Sequence, residues 1–249
     1  MAGRFVEGMT WLEAERALRE LPTALLPVGA RCKEHGPHLP LNNDWRLAEY
    51  LARRVAERCA VLVLPTLDCA YYPAFTTYPG SVSLRESTFR DVVVDIAESW
   101  ARHGVRRLAI LNTGVSTRRP LEAAREQLAE RGIELCCAHW DEFARPVRAR
   151  VETQEAGSHA DEIETSIMLH IAPETVQLEH AVRDIHPQRG PGGLSRDPDA
   201  AHGTYSPSGS YGDPTLATRA KGETLVEGLV DALVSWLQPL TARPTSHPA

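Results

Sequence analysis

Apolar residues recur along this chain in two rhythms: short unbroken runs, and longer stripes spaced three and four apart. The runs Ala24–Val28, Val61–Leu64, Leu108–Leu111 and Ile133–Ala138 have the length and continuity of strands buried on both faces. Amphipathic stretches lie between them. Residues 10–21 predict a helix, with Thr10 and Glu13 spaced as a capping box. Residues 45–58 carry a stripe of Leu47, Tyr50, Leu51 and Val55. Residues 87–103 carry Val92, Val93, Ile96 and Trp100, and Gly104 follows as a stop. A helix from Pro120 to Arg131 has Thr117 as its expected cap, and one over 219–237 carries Leu225, Leu229, Leu233 and Trp236. Alternating strands and helices predict an α/β fold, a mostly parallel sheet covered on both faces as a three-layer α/β/α sandwich.

Two stretches break the rhythm. Tyr71 to Ser81 is rich in aromatics and either lines a pocket or covers the sheet. Residues 186–215, rich in Gly, Pro, Ser and Asp, predict a long surface loop. Residues 1–240 are expected to form one domain, and 241–249, with two prolines, a frayed tail.

Composition narrows the function classes. A chain of 249 residues with 43 % apolar content suffices for one core, and a formal charge of −6 argues against a nucleic-acid surface. No apolar run approaches the roughly 18 residues of a membrane span. The first residues carry Glu7, Glu13 and Glu15 rather than an apolar signal core, so a cytoplasmic location is expected. The five cysteines, at 32, 59, 69, 136 and 137, form no CxxC pair and read as reduced thiols. Cys32 stands beside the stretch with most chemistry.

That stretch is Lys33-Glu34-His35-Gly36-Pro37-His38-Leu39-Pro40-Leu41-Asn42-Asn43-Asp44. It leaves the carboxyl end of the first strand, where open α/β sheets bind ligands. Two imidazoles and two carboxylates there can hold a divalent metal, and Gly36, Pro37 and Pro40 can fix the backbone that aims them. The stretch resembles the creatininase (creatinine amidohydrolase) family, whose motif is Glu-x-His-Gly-Pro-His-Leu-Pro-Leu with an Asp nine residues after the first His. His35 and Asp44 keep that spacing, and Lys33 stands where the family has Glu. Further segments are similar: Gly157 to Ser166 to His-Ala-Gly-Glu-x-Glu-Thr-Ser, Gly209 to Thr218 to Gly-Val-x-Gly-Asp-Pro-x-x-Ala, and Tyr78 to Leu84 to Phe-Pro-Gly-Thr-Ile-Ser-Leu. The family's Asn-Gly-His-x-x-Asn corresponds to Asn112 to Thr117, with Gly114 in place of the His; Ser116 replaces a Glu of the creatininase branch.

The resemblance implies a hydrolase of a C–N bond in a small cyclic or linear amide, dependent on a divalent metal (zinc, manganese or iron). The family's two-metal site shares a bridging Asp. One metal's own ligands fall on Lys33 and Gly114; the other keeps His35, Asp44 and Glu162. One metal per chain is therefore expected. Glu162 is implied as a metal ligand and His159 as a polarising or proton-transfer group. Three apart, they share one face of a helix; the plainer reading is a helix start capped by Ser158 with acids in its first turn, and Glu164 reads as structural. Lys33 is a candidate electrostatic stand-in for the missing metal and a catalytic residue. Glu34 is an alternative ligand if the backbone bends; the plainer reading leaves both Lys33 and Glu34 solvated. Gly114, Ser116 and Tyr78 are candidate substrate-binding positions; Arg118 and Arg119 either add charge there or are solvated. The family also implies a closed homo-oligomer, often a hexamer. Creatinine is a poor match as substrate, because the residues marking that branch are not kept. Two other readings are a non-catalytic member that binds a small ligand and a hydrolase acting through the Cys32 thiol.

Overall fold

The computed structural model describes residues 2–186, 193–200 and 203–242. Its centre is a five-stranded parallel sheet in the order β1-β3-β2-β4-β5. The strands are β1 (Arg4–Phe5), β2 (Thr23–Val28), β3 (Leu62–Val63), β4 (Arg107–Asn112) and β5 (Glu134–His139). β2 and β4 pair from Thr23↔Arg107 to Val28↔Asn112, so both strands finish at one level. β1 adds to the edge beside β3 and has too few residues to leave a periodic signal.

Among the described residues seven α-helices cover the sheet: α1 (Trp11–Glu20), α2 (Asn43–Ala56), α3 (Glu86–Ala101), α4 (Arg118–Ala129), α5 (Trp140–Val151), α6 (Glu162–Ile171) and α7 (Arg219–Ala242). Strand side chains alternate between faces, and this sorts the core in two. Ala24, Leu26 and Val28 pack with Leu21, Phe89, Val93 and Leu121, which places α1, α3 and α4 on one face. Leu25, Ala109 and Leu111 pack with Leu51, Val147, Ile163 and Leu229, which places α2, α5, α6 and α7 on the other. The three-layer expectation holds. Thr10 and Glu13 do close a capping box on α1. α7 runs beyond the expected 237 to Ala242, so the tail expected from 241 begins no earlier than 243; residues 243–249, and 187–192 and 201–202 of the expected loop, lie outside the described residues.

The aromatic stretch makes a 3-10 turn over Pro73–Thr77. Both readings of it hold: Tyr72, Phe75 and Tyr78 are buried in the core, and Tyr72 and Phe75 also reach the cavity described below. Among the described residues no helix is long and apolar enough to cross a membrane.

Candidate active site

Three chain segments meet where β2 and β4 end. A β-carbon on Gly29 would lie 2.4 Å from the Asp44 carbonyl and 2.8 Å from the Thr113 hydroxyl, so only glycine lets β2, α2 and the turn after β4 approach so closely. The loop from Gly29 then delivers Lys33, Glu34 and His35, all buried.

His35 has no exposed surface. Its Nδ1 lies 2.9 Å from the Lys33 carbonyl, which can only accept, so Nδ1 carries the hydrogen. Nε2 lies 2.8 Å from Asp44 Oδ1, and this pair needs either a second proton or a cation between its lone pairs. Asp44, in the first turn of α2, turns its other oxygen to Lys33 Nζ at 2.6 Å, an ion pair without hydrogen-bond alignment. Burial alone would raise the Asp44 pKa. The charges of Lys33 and His35 outweigh it and hold the carboxyl well below the usual range.

Glu34 points the other way. Its Oε1 accepts from the Gly36 N–H, where Gly36 turns left-handed at φ +68°, and its Oε2 lies 3.2 Å from His159 Nε2. The Glu34 carbonyl is 3.0 Å from the same nitrogen. Two acceptors fix the hydrogen on Nε2 and leave His159 Nδ1 facing Glu164 Oε2 at 3.8 Å. Glu34, considered as a ligand from sequence, thus acts on His159 here.

The segment 157–166 differs from expectation in its register. α6 begins at Glu162, and its cap is Asp161, which accepts from the N–H groups of Ile163 and Glu164 at 2.9 and 3.0 Å; Ser158 is not the cap. His159 precedes the helix, so its spacing of three from Glu162 does not put the two on one face. The Glu162 carboxylate faces away, toward the Thr153 and Gln154 N–H groups at 2.8 and 2.6 Å, the Thr153 hydroxyl and Lys221. Residues two apart on a helix point about 200° apart, and it is Glu164 that turns inward. Ligand atoms of His35, His159 and Glu164 lie within 4.8 Å of one another, all three buried. Neutral imidazoles and a carboxylate at that separation suit a divalent transition-metal ion. Burial pushes the Glu164 pKa up to about 7, with His159 pulling against it.

Nearby, His38 donates to or accepts from the Thr165 hydroxyl at 2.7 Å, and its Nδ1 is buried without a partner. Desolvation, aided by His35, lowers its pKa to about 4, so this imidazole is neutral.

The turn after β4 closes on itself. Asn112 Oδ1 accepts from the Gly114 N–H and the Thr117 hydroxyl, and its Nδ2 donates to the Gly114 carbonyl at 2.6 Å. Thr117 stands at the cap position of α4 but spends its hydroxyl on Asn112 and Gly114 instead. Gly114 backs onto Tyr72: a β-carbon there would lie 2.7 Å from Cε1 and 2.9 Å from the hydroxyl. Tyr72 is fully buried, and its ring centre is 5.1 Å from Lys33 Nζ.

A cavity of about 360 Å³ opens above these groups. Lys33, His159 and Glu164 line it together with Tyr72, Phe75 and Trp140, and Ser116 and Arg148 also reach it. Ser116 therefore reaches the cavity and Gly114 does not line it. Tyr78 does not line it either, because its hydroxyl donates to the Ser206 carbonyl at 2.7 Å. Arg118 is spent on Asp141 and Glu142, and Arg119 on Glu86. Cys32 is exposed and is not among the lining residues. Trp140, Arg148 and Asp161 reach the cavity from positions that periodicity did not single out. For Glu164 the deciding fact is the helix start: from Glu162 onward, residues 162 and 164 turn to opposite sides, and the sequence alone offers more than one start.

Residues 7–237 match the family model "Creatininase: Creatinine amidohydrolase". The creatinine amidohydrolase of Pseudomonas putida is 31 % identical over 92 % of this chain and 95 % of its own. A mycofactocin precursor peptide peptidase of Mycolicibacterium smegmatis is 29 % identical over 87 % and 86 %. A crystal structure of creatinine amidohydrolase superposes with a TM-score of 0.80 at 28 % identity, covering 96 % of this chain and 98 % of its own. Solved creatininase structures include a manganese form and a zinc–zinc form of a variant. The fold, the loop after β2 and the match along nearly the whole chain place this protein in the creatininase family.

Proposed function

We propose that the chain hydrolyses a C–N bond in a small cyclic or linear amide, using one divalent metal ion per chain at the floor of this cavity. The observation that carries the reading is the buried group of His35, His159 and Glu164 donors beside Asp44, opening onto a cavity of small-molecule size. The relatives matched along most of the chain are hydrolases, which does not favour a purely ligand-binding member. His35 Nε2, Asp44 Oδ1 and the Glu164 carboxylate would hold the ion. A bound divalent ion supplies polarisation of the amide carbonyl and lowers the pKa of a coordinated water toward about 7.

His159 then moves the protons. Its Nε2–H is held by Glu34, so Nδ1 takes the proton of the attacking water and returns it to the departing nitrogen. Lys33 offsets the charge of Asp44 and presents its remaining N–H bonds to the oxygen that becomes negative. The turn after β4 contributes less than its sequence promises, because the Thr113 and Gly114 N–H groups are spent on Val28 and Asn112. Ser116 is the substrate-facing residue of that turn.

The test is amide hydrolysis by the full chain across a panel of small lactams and linear amides, before and after chelator treatment and with zinc, manganese or iron(II) restored. Activity should vanish with the metal and return with it. His159→Gln should lower turnover by about 10²–10⁴-fold while metal content stays the same. A protein that retains no metal under any of these conditions would overturn the reading. Sedimentation of the same samples checks the closed oligomer and its expected hexameric state.

A further inference from the structure

The carboxylate of Asp44 is shared between two cation positions, and one of them is filled by the chain itself. On one side lies His35 Nε2, 2.8 Å from Oδ1; on the other lies Lys33 Nζ, 2.6 Å from Oδ2. We propose that Lys33, seated against Tyr72, is a permanent cation at the second position, so that this centre takes one divalent ion and excludes a second. The proposal rests on the function argued above.

Several features lock Lys33 in place. Its side chain is 7 % exposed and Asp44 is 2 % exposed, so neither charge can be left alone cheaply. The ammonium lies 5.1 Å from the Tyr72 ring and 5.0 Å from the Phe75 ring, within the range of cation–π attraction. Tyr72 in turn occupies the space that a side chain at position 114 would need. Its hydroxyl is buried, with the Ala30 N–H near it but outside hydrogen-bond geometry. Burial, reinforced by the Asp44 charge, keeps this phenol protonated, so it offers no anionic ligand. The side chain of Asn112 is already engaged: its Oδ1 accepts from the Gly114 N–H and the Thr117 hydroxyl, and its Nδ2 donates to the Gly114 carbonyl and lies 2.9 Å from His139 Nδ1. Among the described residues, this side of Asp44 therefore presents a resident ammonium beside the uncharged side chains of Tyr72 and Asn112. Removing Lys33 alone does not create the missing ligands. A glutamate at 33 would still face Tyr72 over a glycine.

The experiment titrates chelator-treated full chain with zinc or manganese and reads metal per chain by elemental analysis, together with the thermal midpoint of metal-free and loaded protein. The parent should bind one equivalent. Lys33→Met should still bind one, but its metal-free form should lose more thermal stability than its loaded form. The rise in midpoint on loading therefore becomes larger than the parent's. Lys33→Glu should also stay at one, and only Lys33→Glu with Tyr72→Ala and Gly114→His should approach two. Two tight equivalents in the parent, or an unchanged loading shift in Lys33→Met, would overturn the proposal. Zero equivalents in the parent would instead overturn the metal-dependent function. The parent's count tests the proposal even if a variant fails to fold.

Discussion

The two oxygens of Asp44 look onto differently built regions. Toward Oδ1 stand His35, His159 and Glu164, with ligand atoms within 4.8 Å of one another, and His159 and Glu164 also line the cavity. Toward Oδ2 stand Lys33, Tyr72 and the turn at Asn112–Gly114, where the polar groups of the turn bond to one another and an aromatic ring fills the remaining space. On the proposed function the first region receives a cation, and the second already holds the Lys33 ammonium. A buried carboxylate needs compensating charge on whichever side it is approached. Sequence can supply that charge as an ammonium or as a set of ligands, but the two solutions need opposite neighbours.

Substitution at the shared carboxylate should have the largest effect, because it breaks both regions together. Asp44→Asn leaves Lys33 as a buried, uncompensated charge, and loss of one partner from such a pair costs about 3–5 kcal/mol. It also removes an oxygen beside His35 Nε2. Denaturant unfolding of the metal-free protein reads the first effect and metal retention the second. A loss confined to metal retention would mean that Lys33 is not held by Asp44.

The next contrast separates two glutamates on one helix. Glu164→Gln should abolish metal retention and change the stability of the metal-free protein by no more than about 1 kcal/mol, because burial already makes this carboxyl costly to ionise. Glu162→Gln should do the reverse. It weakens the anchor to Thr153, Gln154 and Lys221, costing about 1–3 kcal/mol, and leaves the metal count at one. Equal metal loss in both variants would remove the distinction.

This contrast also marks how far the sequence could be read. The strands β2, β4 and β5, the helices between them and the loop from Lys33 to Asp44 were legible, because continuous apolar runs and 3.6-residue stripes report burial directly. The register of α6 was not. Ser158, Asp161 and the acids after them all suit a helix start, and choosing Ser158 moves the inward face from Glu164 to Glu162. What decides is tertiary: Lys221 and the residue 153–154 backbone claim Glu162. α5 gave little signal because Pro146 interrupts it, yet it brings Trp140 and Arg148 to the cavity. The role of Tyr72 was hidden for a related reason, since its contact with Gly114 joins residues 42 positions apart and neither local pattern implies it.

A pH effect of intermediate size sharpens the comparison from the receiving side. His38 is buried against Thr165, with its pKa lowered to about 4 from an ordinary 6.5. The unfolded chain therefore takes up this proton first as pH falls. The stabilisation is complete above about pH 6.5 and is lost on the way down to about 4. At pH 5 the loss due to this one group is about 2 kcal/mol, since each pKa unit is worth about 1.4 kcal/mol. The difference in unfolding free energy between pH 7 and pH 5 should be smaller in His38→Gln by that amount. An identical pH dependence in parent and variant would show that His38 is not held neutral.

The smallest effect concerns the backbone that sets His159 and Glu164 against each other. Ala160 lies between them in the left-handed region, at φ +47°, and its N–H donates to Glu164 Oε2 at 2.6 Å. A non-glycine residue there costs about 1 kcal/mol or more. Its methyl group is fully buried beside Leu39, Met168 and Ala172, and burying a methyl-sized group returns about 0.8 kcal/mol. Ala160→Gly removes both terms and adds freedom to the unfolded chain, so thermal unfolding of the metal-free protein should shift by no more than about 1 kcal/mol. The sharper measure is metal affinity, because the variant keeps every proposed ligand and frees only the turn that sets Glu164 against His159. Affinity that drops while stability holds would identify the Ala160 turn as the device that keeps the receiving side of Asp44 preorganised. Affinity that does not move would locate that rigidity in Glu34 and the Asp161 cap instead.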